Sequence, residues 1–255
     1  MRVGVFGAGG RMGTAVCQAV AGDPELELVA AADPRHAGAE IGGVTVAGTA
    51  DALRDAGADV AVDFTVAAAA RENLRWCAEH GVHAVVGTTG LSRADLDDTR
   101  ARFERGGVNA VIAPNFAIGA VLMMRFAELA APWFETAEVI ELHHDGKKDA
   151  PSGTALLTME RMAAASGEWG QDPTTNTVVV GARGGAGPAG IRVHSVRLTG
   201  LVAHQEVLLG ATGQSLTIRH DSYDRSSFMP GVLLAVKAVS SRPGLTLGLD
   251  DLLDI

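Results

Sequence analysis

Residues 2–13 read RVGVFGAGGRMG, and this stretch predicts how the first half of the chain folds. Its apolar beginning, residues 2–6, predicts a β-strand, and residues 11–21 predict a helix. The glycines between them allow a tight turn and let the backbone approach a pyrophosphate, and Gly13 lets the helix pack close to the strand. The beginning of such a helix offers N–H groups and a partial positive charge to phosphates. The stretch therefore predicts nucleotide binding, and a glycine turn without a ligand is the alternative.

The residues that follow favour the nucleotide-binding interpretation. Residues 26–32 predict a second strand, and Asp33 follows it about 20 residues after the glycines, where an acid binds a ribose hydroxyl. The remaining elements of this half are predicted strands at 60–64, 84–86 and 108–113, and helices at 67–80 and, after a capping box at Ser92, to about 105. Apolar strands that alternate with helices predict a parallel sheet covered on both faces.

Two polar stretches follow strands of this predicted sheet. Gly87, Thr88 and Thr89 come after the strand at 84–86, and residues 113–116 (APNF) end the strand at 108–113. In an open α/β sheet the carboxyl ends of the strands line the ligand crevice. Each stretch alone could be an ordinary connecting loop. Together they predict the nicotinamide side of the site.

The pattern changes after Pro114. The predicted elements are, in order, a helix at 118–134, a strand at 137–144, a helix at 152–165, strand-like residues at 177–219 and a last helix at 226–240. Within the strand-like part, residues 193–198, 206–209 and 215–219 alternate like antiparallel strands with one solvated face. The expected fold class is therefore α/β, with a Rossmann-type dinucleotide-binding domain and a smaller α+β domain that has an open mixed sheet.

Polar and charged side chains are most concentrated at residues 141–154, which read ELHHDGKKDAPSGT. Two histidines and two lysines follow a predicted strand, and the PSGT that comes next opens a helix whose N–H groups and hydroxyls can bind an oxyanion. A histidine can donate a proton near neutral pH, and a lysine can stabilise developing negative charge. We expect a site for a carboxylate-bearing substrate here, and a solvated charged loop is the alternative. No metal is expected, because no cysteine or second histidine pair lies at ligand spacing.

The composition limits the classes of function. The 255 residues include 21 Lys+Arg and 30 Asp+Glu, and the formal net charge of −9 argues against a nucleic-acid or membrane-surface binder. No segment reaches the roughly 18 apolar residues that a membrane span needs. Residues 1–7 show no signal peptide, so the expected location is the cytoplasm. The two cysteines, Cys17 and Cys77, are expected to pack on helices.

Five stretches of the chain resemble one family. They are residues 3–13, 63–65 (DFT), 86–90 (VGTTG), 113–119 (APNFAIG) and 141–154. In this order they resemble the 4-hydroxy-tetrahydrodipicolinate reductase (dihydrodipicolinate reductase) family, and residues 200–209 and 220–228 are similar to its actinobacterial type. The resemblance implies NAD(P)H-dependent reduction of 4-hydroxy-tetrahydrodipicolinate to tetrahydrodipicolinate, a step of lysine and diaminopimelate biosynthesis, by a homotetramer. The chain departs from the family at Gly146, where many members carry a third histidine.

The motifs imply a role for each matching residue. His143 resembles the general acid and Lys147 the second catalytic residue, while His144, Ser152, Gly153 and Thr154 would bind the substrate. The residues that would line the cofactor are Gly7, Ala8, Gly9, Gly10, Arg11, Met12, Asp33, Phe64, Gly87, Thr88, Thr89, Ala113, Pro114, Asn115 and Phe116. Residues 1–116 and 226–255 would form the dinucleotide-binding domain, and residues 117–225 the substrate-binding and tetramerisation domain.

Two questions stay open at this level. Asp33 favours NADH because its charge repels the 2′-phosphate of NADPH, whereas Arg11 and Arg35 could pair with that phosphate, so use of both cofactors is expected. The alternatives to the reductase are another NAD(P)-dependent dehydrogenase of an amino-acid pathway and a nucleotide-sensing module without catalysis. Such a module would keep the glycines and lose the cationic loop.

Overall fold

The computed structural model describes all 255 residues, which form two compact units. One unit comprises Met1–Ile118 and Phe228–Ile255, and the other comprises Gly119–Ser227. The chain therefore leaves the first unit once and returns to it near its end. No helix is both long enough and apolar enough to cross a membrane.

The first unit is built on an eight-stranded sheet. Its strands are β1 (Arg2–Phe6), β2 (Glu27–Ala32), β3 (Glu40–Ile41), β4 (Val44–Ala47), β5 (Val60–Asp63), β6 (His83–Val86), β7 (Ala110–Ile112) and β13 (Leu245–Leu247). Across the sheet their order is β13-β7-β6-β5-β1-β2-β4-β3, and every pair is parallel except β3 with β4. The order reverses between β1 and β5, which is the position where ligands bind in doubly wound sheets.

Helices cover this sheet. They are α1 (Arg11–Gly22), α2 (Asp51–Asp55), α3 (Ala67–His80), α4 (Arg93–Gly106), α7 (Met229–Ala238) and α8 (Asp250–Leu253). The central strand β5 is buried at all four positions, as expected for a strand with both faces covered. Cys17 and Cys77 are buried on α1 and α3, which confirms their prediction as packed thiols. The Rossmann-type parallel sheet is confirmed, and Ser92 begins α4 with the predicted capping box.

The second unit contains a five-stranded mixed sheet. Its strands are β8 (Thr136–His143), β9 (Gly185–Ala186), β10 (Arg192–Arg197), β11 (Ala203–Ala211) and β12 (Gln214–Ser222), in the order β12-β11-β8-β10-β9. Helix α6 (Gly153–Ala165) contributes Met159 and Met162 to the core, together with Val139 of β8 and Val207 of β11. Helix α5 (Ile118–Ala130) contributes Ala127. The predicted mixed sheet is confirmed.

Three sequence predictions for this unit need correction. The predicted antiparallel arrangement holds for β11 with β12, but β10 lies parallel to its neighbour β8, because the connection through α6 returns the chain to the same end of the sheet. Residues 177–180 form no strand although they are rich in valine, and Val180 is 98% exposed with no partner strand to pair with. Helix α5 ends at Ala130 and a single 3₁₀ turn follows, because Pro132 lacks the N–H that a longer α-helix needs.

Candidate active site

The glycine loop between β1 and α1 is shaped to accept a phosphate-bearing group. Gly7 has a positive φ of 65°, which favours glycine, and its N–H donates to the carbonyl of Ala32 at 2.8 Å. A Cβ at Gly13 would lie 2.1 Å from the carbonyl oxygen of Gly7, so α1 can approach the loop only with glycine there. Gly10, the N-cap of α1, has no side chain to cap the helix. The first N–H groups of α1 can therefore serve a dinucleotide pyrophosphate, and the loop fits that group.

Asp33 lies against this loop. The residue follows β2 and is buried, its Oδ2 accepts a hydrogen bond from the Gly9 N–H at 3.1 Å, and its Oδ1 accepts one from the Arg35 N–H at 2.9 Å. The ring Nδ1 of His36 lies 3.0 Å from Oδ2. Burial alone would raise the pKa of Asp33, but the hydrogen bonds from Arg35, His36 and Gly9 hold it below its ordinary value. Asp33 is therefore a charged acceptor beside the loop, whereas Arg11 and Arg35 are exposed.

Three further predicted stretches follow the neighbouring strands β5, β6 and β7. Phe64 packs on Phe116 with 5.5 Å between the ring centroids, and Asn115 Oδ1 accepts the Ala117 N–H at 2.9 Å. Thr88 donates through its Oγ1 to Asp63 at 3.1 Å. The structure thus brings Phe64, residues 87–89 and residues 113–116 to one edge of the sheet, next to the glycine loop.

The role of Asp63 at this edge was not predicted from the sequence. Asp63 is 2% exposed and ends β5. Its Oδ1 accepts from the N–H and Oγ1 of Thr65, both at 2.7 Å, and from Thr88, while its Oδ2 accepts from Asn73 Nδ2 at 2.7 Å. An acid that ends a wholly apolar strand is the signal that could have identified it. The Asp63 carboxylate therefore connects the loop after β5 with the loop after β6.

In the second unit, β8 carries His143 at its last position. His143 Nδ1 lies 2.5 Å from Oε2 of Glu141, whose side chain is 0% exposed. Arg197 of β10 grips the same carboxylate with Nη1 at 2.9 Å and Nη2 at 2.8 Å. The N–H of Ser152 also donates to Glu141, at 3.2 Å. Glu141 and Arg197 were not singled out from the sequence, because 56 residues separate them along the chain.

The loop after β8 holds the cationic residues. Lys147 Nζ lies 2.8 Å from both carboxylate oxygens of Asp149, which is largely exposed. The backbone N–H of Lys147 donates to the carbonyl of His144 at 3.2 Å. A Cβ at Gly146 would lie 3.2 Å from Nδ1 of His144, so a larger residue at this position would press on that ring. Gly146 therefore leaves room around His144.

Helix α6 begins directly after this loop. Ser152 is its N-cap, and Ser152 Oγ accepts the Ala155 N–H at 3.2 Å. Gly153 and Thr154 form the first helical positions, where a helix presents N–H groups and a partial positive charge. The structure therefore places His143, His144, Lys147 and the beginning of α6 around one loop, where N–H groups and cationic side chains can bind a carboxylate.

The pKa values of His143 and Glu141, the two partners at the end of β8, are both lowered but for different reasons. Burial lowers the pKa of His143 below its ordinary value; Glu141 opposes this shift, and the charges of Lys147 and Arg197 add to it. Burial alone would raise the pKa of Glu141, but hydrogen bonds from Arg197, Ser195 and His143 outweigh it and keep the pKa below its usual range. Near neutral pH, Glu141 is therefore an anion that accepts from the His143 ring.

The fold and these two sites define a class: a nicotinamide-dinucleotide-dependent oxidoreductase with a parallel-sheet unit and a mixed-sheet unit. Comparison with known proteins gives the family. The model described as "Dihydrodipicolinate reductase, N-terminus" matches residues 1–116, and the one described as "Dihydrodipicolinate reductase, C-terminus" matches residues 119–253. The chain belongs to the dihydrodipicolinate reductase family.

Individual relatives agree with this assignment over the whole length. A 4-hydroxy-tetrahydrodipicolinate reductase of Nocardia farcinica is 52% identical, covering 100% of this chain and 99% of the relative. One of Thermobifida fusca is also 52% identical, covering 100% of both chains. Among solved structures, dipicolinate-bound dihydrodipicolinate reductase from Paenisporosarcina sp. TG-14 matches with a TM-score of 0.89 and 38% identity, over 98% of each chain.

Proposed function

We propose that this chain catalyses the NAD(P)H-dependent reduction of 4-hydroxy-tetrahydrodipicolinate to tetrahydrodipicolinate, with loss of water, in lysine and diaminopimelate biosynthesis. The observation that carries the proposal is the cationic loop at the end of β8, where His143 is held on a buried carboxylate in a chain with a net charge of −9. Lysine and histidine side chains that cluster in an acidic protein suit a small dicarboxylate. Membership of the reductase family favours this reaction over the other dehydrogenases and over a nucleotide-sensing module.

Each unit has its own task in this proposal. Residues 1–116 and 226–255 bind the dinucleotide, and residues 117–225 bind the substrate and form the contacts between subunits. The bound nicotinamide supplies the hydride. Phe64, residues 87–89 and residues 113–116 hold its ring, while the glycine loop and the beginning of α1 hold the pyrophosphate.

The second unit supplies the proton and stabilises the substrate. His143 Nδ1 is held by Glu141, so Nε2 is the nitrogen that donates a proton to the ring. Lys147 stabilises the negative charge that develops there, and its present partner Asp149 is exposed, so exchanging that partner for the substrate costs little. His144, Ser152, Gly153 and Thr154 bind the carboxylates at the beginning of α6.

Both nicotinamide cofactors are used in this proposal. Asp33 accepts hydrogen bonds from the ribose hydroxyls of NADH and repels the 2′-phosphate of NADPH. Arg11 and Arg35 are exposed near that position in the sequence and can pair with the phosphate. NADH is therefore expected to serve at least as well as NADPH.

The assembly we propose is a homotetramer, working in the cytoplasm. Most of the large exposed apolar side chains lie in Gly119–Ser227, among them Trp133 at 80% and Val180 at 98% exposure. Apolar surface of this extent is normally covered by association between subunits. Light scattering at micromolar concentration should give the mass of four chains, and the mass of one chain would contradict the proposal.

One experiment tests the reaction itself. Purified protein is given NADH and the freshly made product of the synthase that precedes this step, and the loss of nicotinamide absorbance is followed. Turnover is expected with this substrate and not with aspartate semialdehyde, the substrate of a homoserine-type dehydrogenase. Turnover of aspartate semialdehyde alone would favour the other dehydrogenase class, and binding of NADH without turnover of either would favour the nucleotide-sensing module.

A further inference from the structure

We propose that Glu141 is a positioning residue, whose buried carboxylate fixes the ring of His143 and, through Arg197, the loop that carries Lys147. The proposal rests on the proposed function, in which His143 is the general acid. The Glu141 side chain is 0% exposed, so it can act on a substrate only through its neighbours.

The carboxylate of Glu141 uses both oxygens. Oε2 accepts from Arg197 Nη1 at 2.9 Å and lies 2.5 Å from His143 Nδ1, while Oε1 accepts from Arg197 Nη2 at 2.8 Å and from the Ser152 N–H at 3.2 Å. Ser195, which lies opposite Glu141 on β10, adds another hydrogen bond. A buried carboxylate is tolerated when its oxygens are paired in this way. Because Nδ1 donates to Glu141, the proton that the ring gives to a substrate must come from Nε2.

Arg197 connects Glu141 to the cationic loop that follows β8. Its Nη2 also donates to the backbone carbonyl of Asp149 at 2.6 Å, and the Asp149 carboxylate in turn holds Lys147 Nζ. The Ser152 N–H, at the N-cap of α6, is held by Glu141 directly. A single buried carboxylate thus connects the proposed acid, the proposed lysine and the helix that receives the substrate carboxylate.

Glu141 is also the group that favours the protonated form of His143. The charged groups that face the ring are Glu141, Lys147 and Arg197, and the two cations disfavour the imidazolium, as burial does. Only the Glu141 carboxylate opposes them. Removing its charge while keeping its shape should therefore leave His143 protonated over a narrower range of pH.

A second glutamate on the same strand provides a matched control. Glu138 of β8 also pairs with an arginine and a histidine: Arg183 Nη2 lies 2.6 Å from its Oε1, and His194 Nε2 lies 2.7 Å from its Oε2. Neither partner belongs to the loop after β8. Glu138→Gln therefore removes the same charge from a similar ion-pair cluster without touching the acid.

The experiment compares Glu141→Gln, Glu138→Gln and the wild type as full-length chains. The titration of the His143 ring is followed by NMR, with His143→Gln used to assign its signal among the eight histidines. In Glu141→Gln the midpoint should move to lower pH and the preference for the Nδ1–H tautomer should be lost, while Glu138→Gln leaves both unchanged. In turnover, Glu141→Gln should lower kcat about 100-fold and move the alkaline fall of kcat/KM to lower pH.

Each outcome decides the proposal. An unchanged His143 titration in Glu141→Gln overturns it, and so does a loss of kcat that leaves the pH profile in place, because that loss would be merely structural. If Glu141→Gln does not fold, Glu141→Asp keeps the negative charge but is one methylene shorter, which draws its oxygens back from His143 Nδ1 and from Arg197, and an unchanged tautomer there overturns the proposal. The NMR readout does not need turnover, so a wild type inactive on this substrate would refute the proposed function and leave this test intact.

Discussion

Two carboxylates are almost completely buried at or near strand ends, Asp63 in the first unit and Glu141 in the second, and they are held by different kinds of donor. Asp63 ends β5 and accepts hydrogen bonds only from uncharged groups, those of Thr65, Thr88 and Asn73. Glu141, near the end of β8, is held by the guanidinium of Arg197 and by a ring that can itself be charged. The first arrangement fixes the shape of two loops. The second arrangement also couples the position of its loop to the protonation of the His143 ring.

The difference follows from what each loop has to do. The loops around Asp63 line the proposed cofactor site, where the protein needs a fixed surface and no change of protonation. Neutral donors supply this, because hydroxyl and amide groups do not titrate near neutral pH. In the proposed reaction the loop beside Glu141 has to deliver a proton, and the Glu141 carboxylate contacts the titratable ring of His143. We therefore expect substitutions in the first region to affect cofactor binding, and those in the second to affect turnover and its pH dependence.

The largest effect expected from this comparison is on turnover. His143→Gln and Lys147→Ala should each lower kcat by about 10²–10⁴, because each removes a group that acts in the transition state. Affinity for NADH, measured by fluorescence titration, should stay near that of the wild type. Near-normal kcat in both variants would show that neither residue has the role proposed for it.

Asp63→Asn should affect the binding of the cofactor rather than the transfer of the proton. The amide keeps the shape but leaves a single acceptor oxygen for donors that now use two, so the loops after β5 and β6 should loosen and KM for NADH should rise about tenfold. The pH dependence of kcat should not move. Asp59→Asn is a suitable control: Asp59 lies beside the other end of β5, is exposed, and accepts only the Arg2 N–H, at 2.7 Å. A shift in the pH profile of Asp63→Asn would erase the distinction between the two regions.

The two regions also differ in how far the sequence predicts them. Strand β1, the glycines and Asp33 lie close together along the chain, so local patterns identify them and their mutual contact. Glu141 and Arg197 meet only because β10 lies parallel to β8, and the sequence pattern favoured antiparallel strands there. Arg197 and Ser195 reach Glu141 because β10 is the strand beside β8, and the periodicity of a single strand does not determine which strand pairs with it. Strands β3 and β13, of two and three residues, were not predicted for a different reason: neither lies in an apolar run as long as residues 108–113, which contain β7.

A third buried acid, Asp33, is bound both by neutral backbone N–H groups and by the titratable ring of His36, and its charge should influence the choice between NADH and NADPH. Asp33→Ala removes the charge that repels a 2′-phosphate, so the ratio of kcat/KM for NADPH to that for NADH should rise several-fold, a change worth about 1 kcal/mol. Arg11→Ala should lower the same ratio. Titrations of both cofactors on one preparation measure this. An unchanged ratio in Asp33→Ala would mean that the acid does not contact the ribose.

The smallest effects are expected from two serines that begin helices, one in each unit. Ser92 caps α4 and Ser152 caps α6, and the side chain of each accepts a backbone N–H at 3.2 Å. Replacing either by alanine should lower the free energy of unfolding by about 1 kcal/mol, as measured by urea denaturation.

Only Ser152 lies in the proposed substrate loop, and its N–H, which alanine retains, donates to Glu141. Ser152→Ala should therefore also raise KM for the substrate a few-fold, because the beginning of α6 shifts relative to His143, whereas Ser92→Ala should not. Equal KM values in the two variants, at equal loss of stability, would mean that the cap of α6 serves the fold alone.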